Sequence, residues 1–443
     1  MVESAPVFGM SPPWLLVDGV PLADALVLSH PEQIDRLRAA CPEAAPTAVL
    51  AGDPCFDRIL AARPYRERFR RALGVRPDQR LVVLNSTWNP ESLFGDGGDD
   101  VLPTLLPRLT SEFPVDEYRF AAILHPNIWH GHGPGQIRAW LDRARRGGLM
   151  LIDPLAGWRQ ALLAADAVIG DHGSVTYYAA ALGTPVLLGA TPLDCLDPDA
   201  PISAFMRLAP RLDPGAALRA QIDTLVACHR PLPGPAEFTT SVPGEAAARL
   251  RTLFYALMDA PEPEWKASLA PLPLPACESV TPTVPLRVVT RMLASGEISV
   301  SRWAGPAPVT IADAELHVAV HEDTRDVDQL DLADVIFRYG AADDPRFGSP
   351  AVWTAEVLQR YAGCSLAAYV TGPGEAVVRT RGGGLLRMVT ERDGGPDPAV
   401  AASALHALLS AGRPVAEVAD DGLWVRVGDG SSRRVRVAPL AAT

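Results

Sequence analysis

Lysine is almost missing from this chain: Lys266 stands alone among 40 basic residues, and every other one is arginine. With heavy Ala, Gly and Pro usage, that skew reads as codon bias in a high-GC genome, so single arginines carry little weight as signs of function. Long apolar runs are absent too. Although 48% of the residues are hydrophobic, none of the uninterrupted apolar stretches reaches the roughly 18 residues of a membrane-spanning helix. The six cysteines, Cys41, Cys55, Cys195, Cys228, Cys277 and Cys364, include no CxxC pair. They read as ordinary intracellular thiols, and neither a disulfide framework nor a metal site is expected. The opening MVESAPVFGMSPPW lacks the basic-then-apolar pattern of a secretory signal, which points to a cytoplasmic chain. Positive charge is also in deficit. A net charge of −12 disfavours nucleic acid as a partner.

At 443 residues the chain is too long for one core, and two or three domains are expected. The most informative stretch is ADAVIGDHGSVTYYAAALGTPVLLG, residues 165–189. Ala167-Val168-Ile169 has the length and character of a buried parallel strand. It ends in the polar turn Gly170-Asp171-His172-Gly173. Ser174 is placed to cap a helix over 175–182, Gly183 to end it, and Val186-Leu187-Leu188 to form the next strand. Such a turn directs free amides and a positive helix end at whatever lies beyond the strand, which suits an anion, most often phosphate.

Upstream, strands expected at 80–84, 120–124 and 149–152 alternate with helices at 66–74, 99–112, 136–146 and 157–165. Alternation of this kind indicates a doubly wound parallel sheet. Right-handed crossovers put every strand's carboxyl end on one edge, where ligands bind. Polar clusters follow three of these strands. They are Ser86, Thr87 and Trp88, then His125 and Asn127, then Asp171, His172 and Ser174. Residues 1–65 read as the remnant of an N-terminal α/β domain, with strands at 25–28 and 47–51. The loop WHGHGPG holds His130 and His132, but without a nearby carboxylate or cysteine it reads as a flexible surface loop.

Together, Gly52-Asp53-Pro54, Ser86-Thr87-Trp88, Ile123-Leu124-His125-Pro126 and Asp171-His172-Gly173-Ser174 resemble the GT-B glycosyltransferase-like CDP-glycerol glycerophosphotransferases of teichoic-acid synthesis. The family pattern is a G-x-P turn, a T-W strand end, an H-P strand end and a D-x-S-S turn before a helix. Residues 238–257, with Ser241, Gly244, Glu245 and Arg249, resemble its closing helix. The likeness spans residues 25–258 and departs from the pattern at Gly173, where the family has a hydroxyl. It implies transfer of glycerol phosphate from a nucleotide-diphosphate-linked donor to a cell-wall polymer acceptor, near the inner face of a membrane. Such a transfer needs neutralised phosphates and a base near the attacking hydroxyl. His125 and Asp171 would then be catalytic. Thr87, Trp88, Asn127, His172, Gly173, Ser174 and Val175 would bind substrate, with no cofactor and no metal. The family's other catalytic histidine has no clear counterpart in residues 1–65, where His30 precedes a proline.

The expected layout is therefore a remnant at 1–65, a Rossmann-like GT-B nucleotide-binding domain at 66–258, a proline-rich linker at 259–284 and a separate α+β domain at 285–443. In the last, strands are expected at 297–303, 314–320, 366–370, 376–380, 385–390, 423–427 and 433–437, with helices at 353–361 and 399–409. His317 and His321 share one strand face there, with Glu322 and Asp323 beside them; a metal or acid-base role stays open, and a solvated strand end is the expectation. Two functions remain open. One is a GT-B-like transferase or a truncated relative; the other is a non-catalytic nucleotide- or partner-binding protein that kept only the donor-site half.

Overall fold

The computed structural model of the chain describes residues 9–95, 101–278, 281–306, 314–390, 395–428 and 430–440. The apolar strands assemble into one six-stranded sheet. Arg80–Ser86 lies at its centre, buried at six of seven positions, as a strand covered on both faces must be. Tyr118–Leu124 and then Met150–Ile152 extend the sheet on one side, Ala167–Gly170 and then Val186–Leu188 on the other, all in parallel. Counted along the chain, these five strands lie in the order 3-2-1-4-5. The order reverses between the first and the fourth, and that reversal opens a crevice at their carboxyl ends. Cys277–Glu278, inside the proline-rich stretch, adds a short antiparallel edge strand beside Met150–Ile152.

The N-terminal residues pack onto this sheet. Leu26–Leu28 and Ala48–Leu50 pair in parallel, joined by the helix Pro31–Ala40. The next helix, Pro54–Ala62, gives Phe56 and Ile59 to the core on one face of the sheet. Its buried Asp57 accepts hydrogen bonds from the amides of Gly244 (2.6 Å) and Ala246 (3.0 Å). These bonds satisfy donors at the start of the Ala246–Leu257 helix and tie it to the N-terminal segment. Gly52 makes the intervening turn at φ +87°, where a Cβ would also sit 2.9 Å from Val242.

The C-terminal half corrects the expectation of an α+β domain. Nine strands close into a barrel, in the order Leu286–Met292, Ile298–Trp303, Leu423–Val427, Arg433–Pro439, Leu385–Thr390, Glu375–Thr380, Leu366–Gly372, Val335–Tyr339 and Glu315–His321. The two strands missing from the sequence reading, Leu286–Met292 and Val335–Tyr339, each bridge strands that the reading did find. Without them the sheet does not close. The helix Pro398–Ser410 shares a single apolar core with inward-facing residues of all nine strands. Its run of alanines is what lets a helix fit there, since larger side chains on every face would overfill the interior.

Barrel and sheet meet at a buried ion pair. Arg302, on the barrel, forms two hydrogen bonds to the Asp116 carboxylate, at 2.7 and 2.8 Å, and one to Asp397 at 3.1 Å. Arg76 of the sheet domain reaches Asp116 at 3.3 Å. Burial pushes the Asp116 carboxyl up, but the charges of Arg302 and Arg76 outweigh it and hold the group below its ordinary value. The backbone joins in: Val115 donates to the Arg302 carbonyl at 2.8 Å.

Breaking such a pair from one side leaves an uncompensated buried charge, at a cost of about 3–5 kcal/mol. Asp116→Leu alone and Arg302→Met alone are each expected to lose about that much in denaturant unfolding. The double substitution should lose clearly less than the sum. Because the folded Asp116 titrates below its unfolded value, its contribution is present above pH ~4 and fades as pH falls further.

Candidate functional site

The carboxyl ends of three parallel strands surround a cavity of about 300 Å³ at the point where the strand order reverses. Ser86 and Thr87 come from the first strand end, Leu124 and His125 from the second, and Gly173, Ser174 and Val175 from the fourth. Trp158 and Arg159, on the Trp158–Ala164 helix, complete the wall together with Leu155. Larger cavities elsewhere share no residue with this one: those of about 650 and 910 Å³ are lined mainly by apolar side chains, and one of about 700 Å³ is lined by Arg143, Arg146, Arg287 and Arg325 together with Asp326 and Asp328.

Asp171 holds these loops in register. It is fully buried. Its Oδ2 accepts from the amides of Thr87 (2.9 Å) and Leu93 (3.0 Å) and from the Ser86 hydroxyl (3.3 Å), and its Oδ1 accepts from the amide of Gly173 (2.9 Å). One carboxylate thus joins the turns after the first and fourth strands, and its lone pairs are spent on them. Next to it, the fourth strand can run close under its helix only because position 170 is glycine. A Cβ there would lie 2.3 Å from the Thr176 hydroxyl, which itself accepts from Asn85 at 2.8 Å.

The helix begins one residue earlier than the sequence suggests. Ser174 is its first residue, Gly173 occupies the cap, and no side chain caps the end. The first-turn amides of Ser174 and Val175 therefore lack intrahelical partners and line the cavity with the positive end of the helix.

His125 stands opposite, as the cap of the Pro126–His132 helix, with Nδ1 accepting from the Asn127 amide at 3.1 Å. An amide can only donate, so Nδ1 is the unprotonated nitrogen and the neutral ring carries its proton on Nε2. Burial lowers its pKa below the usual histidine value, against the opposing pull of Asp171. At neutral pH the ring is a neutral Nε2–H donor. His30 makes the same arrangement at the start of the Pro31–Ala40 helix, accepting from Glu32 at 3.1 Å.

The remaining expected residues do not line the cavity. Trp88 is exposed, its ring 6.4 Å from that of His125. Asn127 is exposed and reaches His125 only through its amide. His172 turns aside to Asn89 Oδ1 at 3.0 Å, and burial lowers its pKa as well. His130 and His132 sit at the exposed end of the Pro126–His132 helix rather than in a loop, and His132 packs edge-on to Phe94 and Trp140.

Sequence reasoning missed Arg159. Its guanidinium lies 4.3 Å from the centre of the Trp158 ring, and its Nε donates to Cys55 Sγ at 3.1 Å. Its described contacts are the Cys55 sulfur and the Trp158 ring, with no carboxylate paired to it among the described residues. A half-buried cation without an anion, beside free helix amides, makes the cavity electropositive. The lining holds no carboxylate at all. Cys55 belongs to the N-terminal segment, where Asp53 caps its helix and accepts from the Tyr178 hydroxyl at 2.6 Å, so this segment is tied to Arg159 and to the Ser174–Ala181 helix.

No family profile and no curated protein matches the chain. Solved structures do. The wall teichoic acid polymerase TagF matches at 17% identity and a TM-score of 0.37, over 53% of this chain and 58% of that one. A putative UDP-N-acetylglucosamine 2-epimerase from Listeria monocytogenes matches at 16% identity and a TM-score of 0.31, over 54% and 60%. A glycosyltransferase from Rickettsia africae ESF-5 matches at 12% and 0.28, over 51% and 57%. The chain thus spans less than two thirds of the length of each. At such identities and scores these likenesses add nothing to the argument from strand order.

Removing the Asp171 carboxylate strands three backbone donors, each costing about 1–3 kcal/mol when left unpaired in the interior. Asp171→Ala is expected to lower unfolding free energy by roughly 3 kcal/mol or more. Asp171→Asn, which keeps one acceptor oxygen, should lose less.

Proposed function

We propose that the crevice binds the diphosphate of a nucleotide-linked donor, and that the chain is a GT-B-like transferase or a relative of one. The observation that carries this reading is the convergence of uncapped helix amides, Arg159 and the His125 Nε2–H on one acid-free cavity at the strand-order reversal. Each of these groups donates hydrogen bonds or supplies positive charge, and a diphosphate is the common small anion that needs several at once. The resemblance to glycerophosphotransferases suggests a glycerol or sugar phosphate as the transferred group and a cell-wall polymer as acceptor. None of the described helices is long and apolar enough to cross a membrane, so contact with a membrane-borne acceptor would be peripheral.

A specific feature favours binding without transfer. A transferase needs a base near the attacking hydroxyl. Asp171 is occupied by four donors, and His125 already holds a proton on the nitrogen left free. On this reading Asp171 positions the loops and His125 donates to phosphate, so the crevice is a donor-binding site with no base of its own.

Calorimetry with CDP-glycerol and UDP-sugars tests both statements. Ser174→Pro removes one amide at a helix position that tolerates proline, and it should weaken binding. Arg159→Met should weaken it by roughly 10-fold or more, the scale of one hydrogen bond from a charged group. Wild-type protein that ignores every nucleotide diphosphate would contradict the reading.

A pH series separates the role of His125. A neutral ring already donates from Nε2, and a second proton would have to sit on Nδ1, where the Asn127 amide donates. Affinity for CDP-glycerol, whose phosphates do not titrate near neutrality, should therefore change little between about pH 8 and about pH 6. His125→Asn should weaken binding across that range without changing the profile.

A further inference from the structure

A second polar cluster lies inside the barrel, remote in sequence from the crevice. Glu315 and His317 are two residues apart on one strand, so both face inward. His406 projects from the inner helix to meet them. The carboxylate lies 3.1 Å from His317 Nδ1 and 3.2 Å from His406 Nε2, and the imidazole rings are 4.6 Å apart. One ligating atom from each residue falls within 4.8 Å of the other two. In a tetrahedral zinc site with bonds near 2.0 Å, neighbouring ligand atoms stand about 3.3 Å apart.

The protonation of the cluster sharpens the point. The Ser365 hydroxyl lies 3.0 Å from the Asp334 carbonyl and 3.1 Å from His406 Nδ1. A carbonyl only accepts, so the hydroxyl donates to Asp334 and accepts from an Nδ1–H. Neutral His406 then turns its Nε2 lone pair toward the Glu315 carboxylate, with the Ser410 hydroxyl a longer contact at 3.4 Å, and two electron-rich groups at 3.2 Å favour a cation between them. A proton is one such cation and a metal ion the other. His317 Nε2 is buried and has no partner among the described residues, so no protein group fixes its protonation against metal binding. Thr290 donates to the carboxylate as well, holding it as a metal-bound histidine's neighbour is usually held.

We infer that Glu315, His317 and His406 form a binding site for a divalent transition-metal ion of the zinc type. Two imidazoles select against magnesium and calcium, which prefer all-oxygen shells. Three protein ligands leave a fourth position for water, and Glu315, about one-third exposed (34%), provides the entry path. The ion would join the inner helix to the barrel wall, so it would stabilise the barrel by binding the folded state alone. This inference is independent of the nucleotide reading.

Full-length protein stripped of metal is titrated with Zn²⁺ against a chromophoric chelator at neutral pH, and with Co²⁺ followed by its visible d–d bands. One ion per chain is expected, with a melting temperature that rises on adding zinc and falls back with chelator. Glu315→Gln and His406→Gln should abolish stoichiometric binding. Ser365→Ala, which keeps all three ligands, should weaken it by roughly 10- to 100-fold, and it guards against a ligand variant that fails to fold. Folded wild-type protein that takes up no zinc would overturn the site and leave the proton as the bridging cation. Zinc binding that survives unchanged in folded Glu315→Gln or His406→Gln, as cysteine ligation would give, overturns it too.

Discussion

The crevice depends on one buried carboxylate. Parallel strands bring their ends to a common edge, but loops leaving that edge have no reason of their own to stay together. Asp171 supplies it by accepting from the loops after two neighbouring strands at once. With the turn fixed, Gly173 caps the following helix, and the amides of Ser174 and Val175 open toward His125 and Arg159. A carboxylate in that position would ordinarily repel an anionic ligand. Here its charge is spread over four donors, and the groups that face the cavity are donors themselves.

The barrel imposes a different constraint. A closed sheet has no edge strands to protect, but its interior must be filled. The alanine-rich Pro398–Ser410 helix does so. A helix inside a barrel brings polar side chains into the core wherever its sequence places them, and His406 meets Glu315 and His317 there. At the end of the Ile298–Trp303 strand, Arg302 joins the barrel to the sheet domain through Asp116. The two halves share buried charge as well as apolar surface.

Much of the sheet was legible because buried parallel strands are short, continuous apolar runs. Val186–Leu188 was read to the residue, and Arg80–Ser86 and Tyr118–Leu124 to within two. The barrel was not, because its closure rests on pairing between strands far apart in sequence, and Leu286–Met292 breaks the alternation at Val289 and Thr290, an apolar residue on the outer face followed by a hydroxyl on the inner one. At the crevice, the sequence placed the loops but not the directions of their side chains. Asp171, expected to be catalytic, accepts from the loops after the first and fourth strands, and His172, expected to bind substrate, contacts Asn89. Arg159 was passed over because a chain with one lysine among 40 basic residues makes each arginine uninformative, and only its packing on Trp158 without a carboxylate marks it. His317 was paired with His321 because they share a strand face. Its nearer partners are Glu315, two residues back, and His406, which no strand periodicity could connect to it.

The account turns on where a diphosphate would sit. A crystal structure of the chain grown with CDP-glycerol measures that directly. The account predicts diphosphate density within hydrogen-bonding distance of the Ser174 and Val175 amides and of the Arg159 guanidinium. Nucleotide bound in either of the larger apolar clefts, with the strand-end crevice filled only by water, would contradict it.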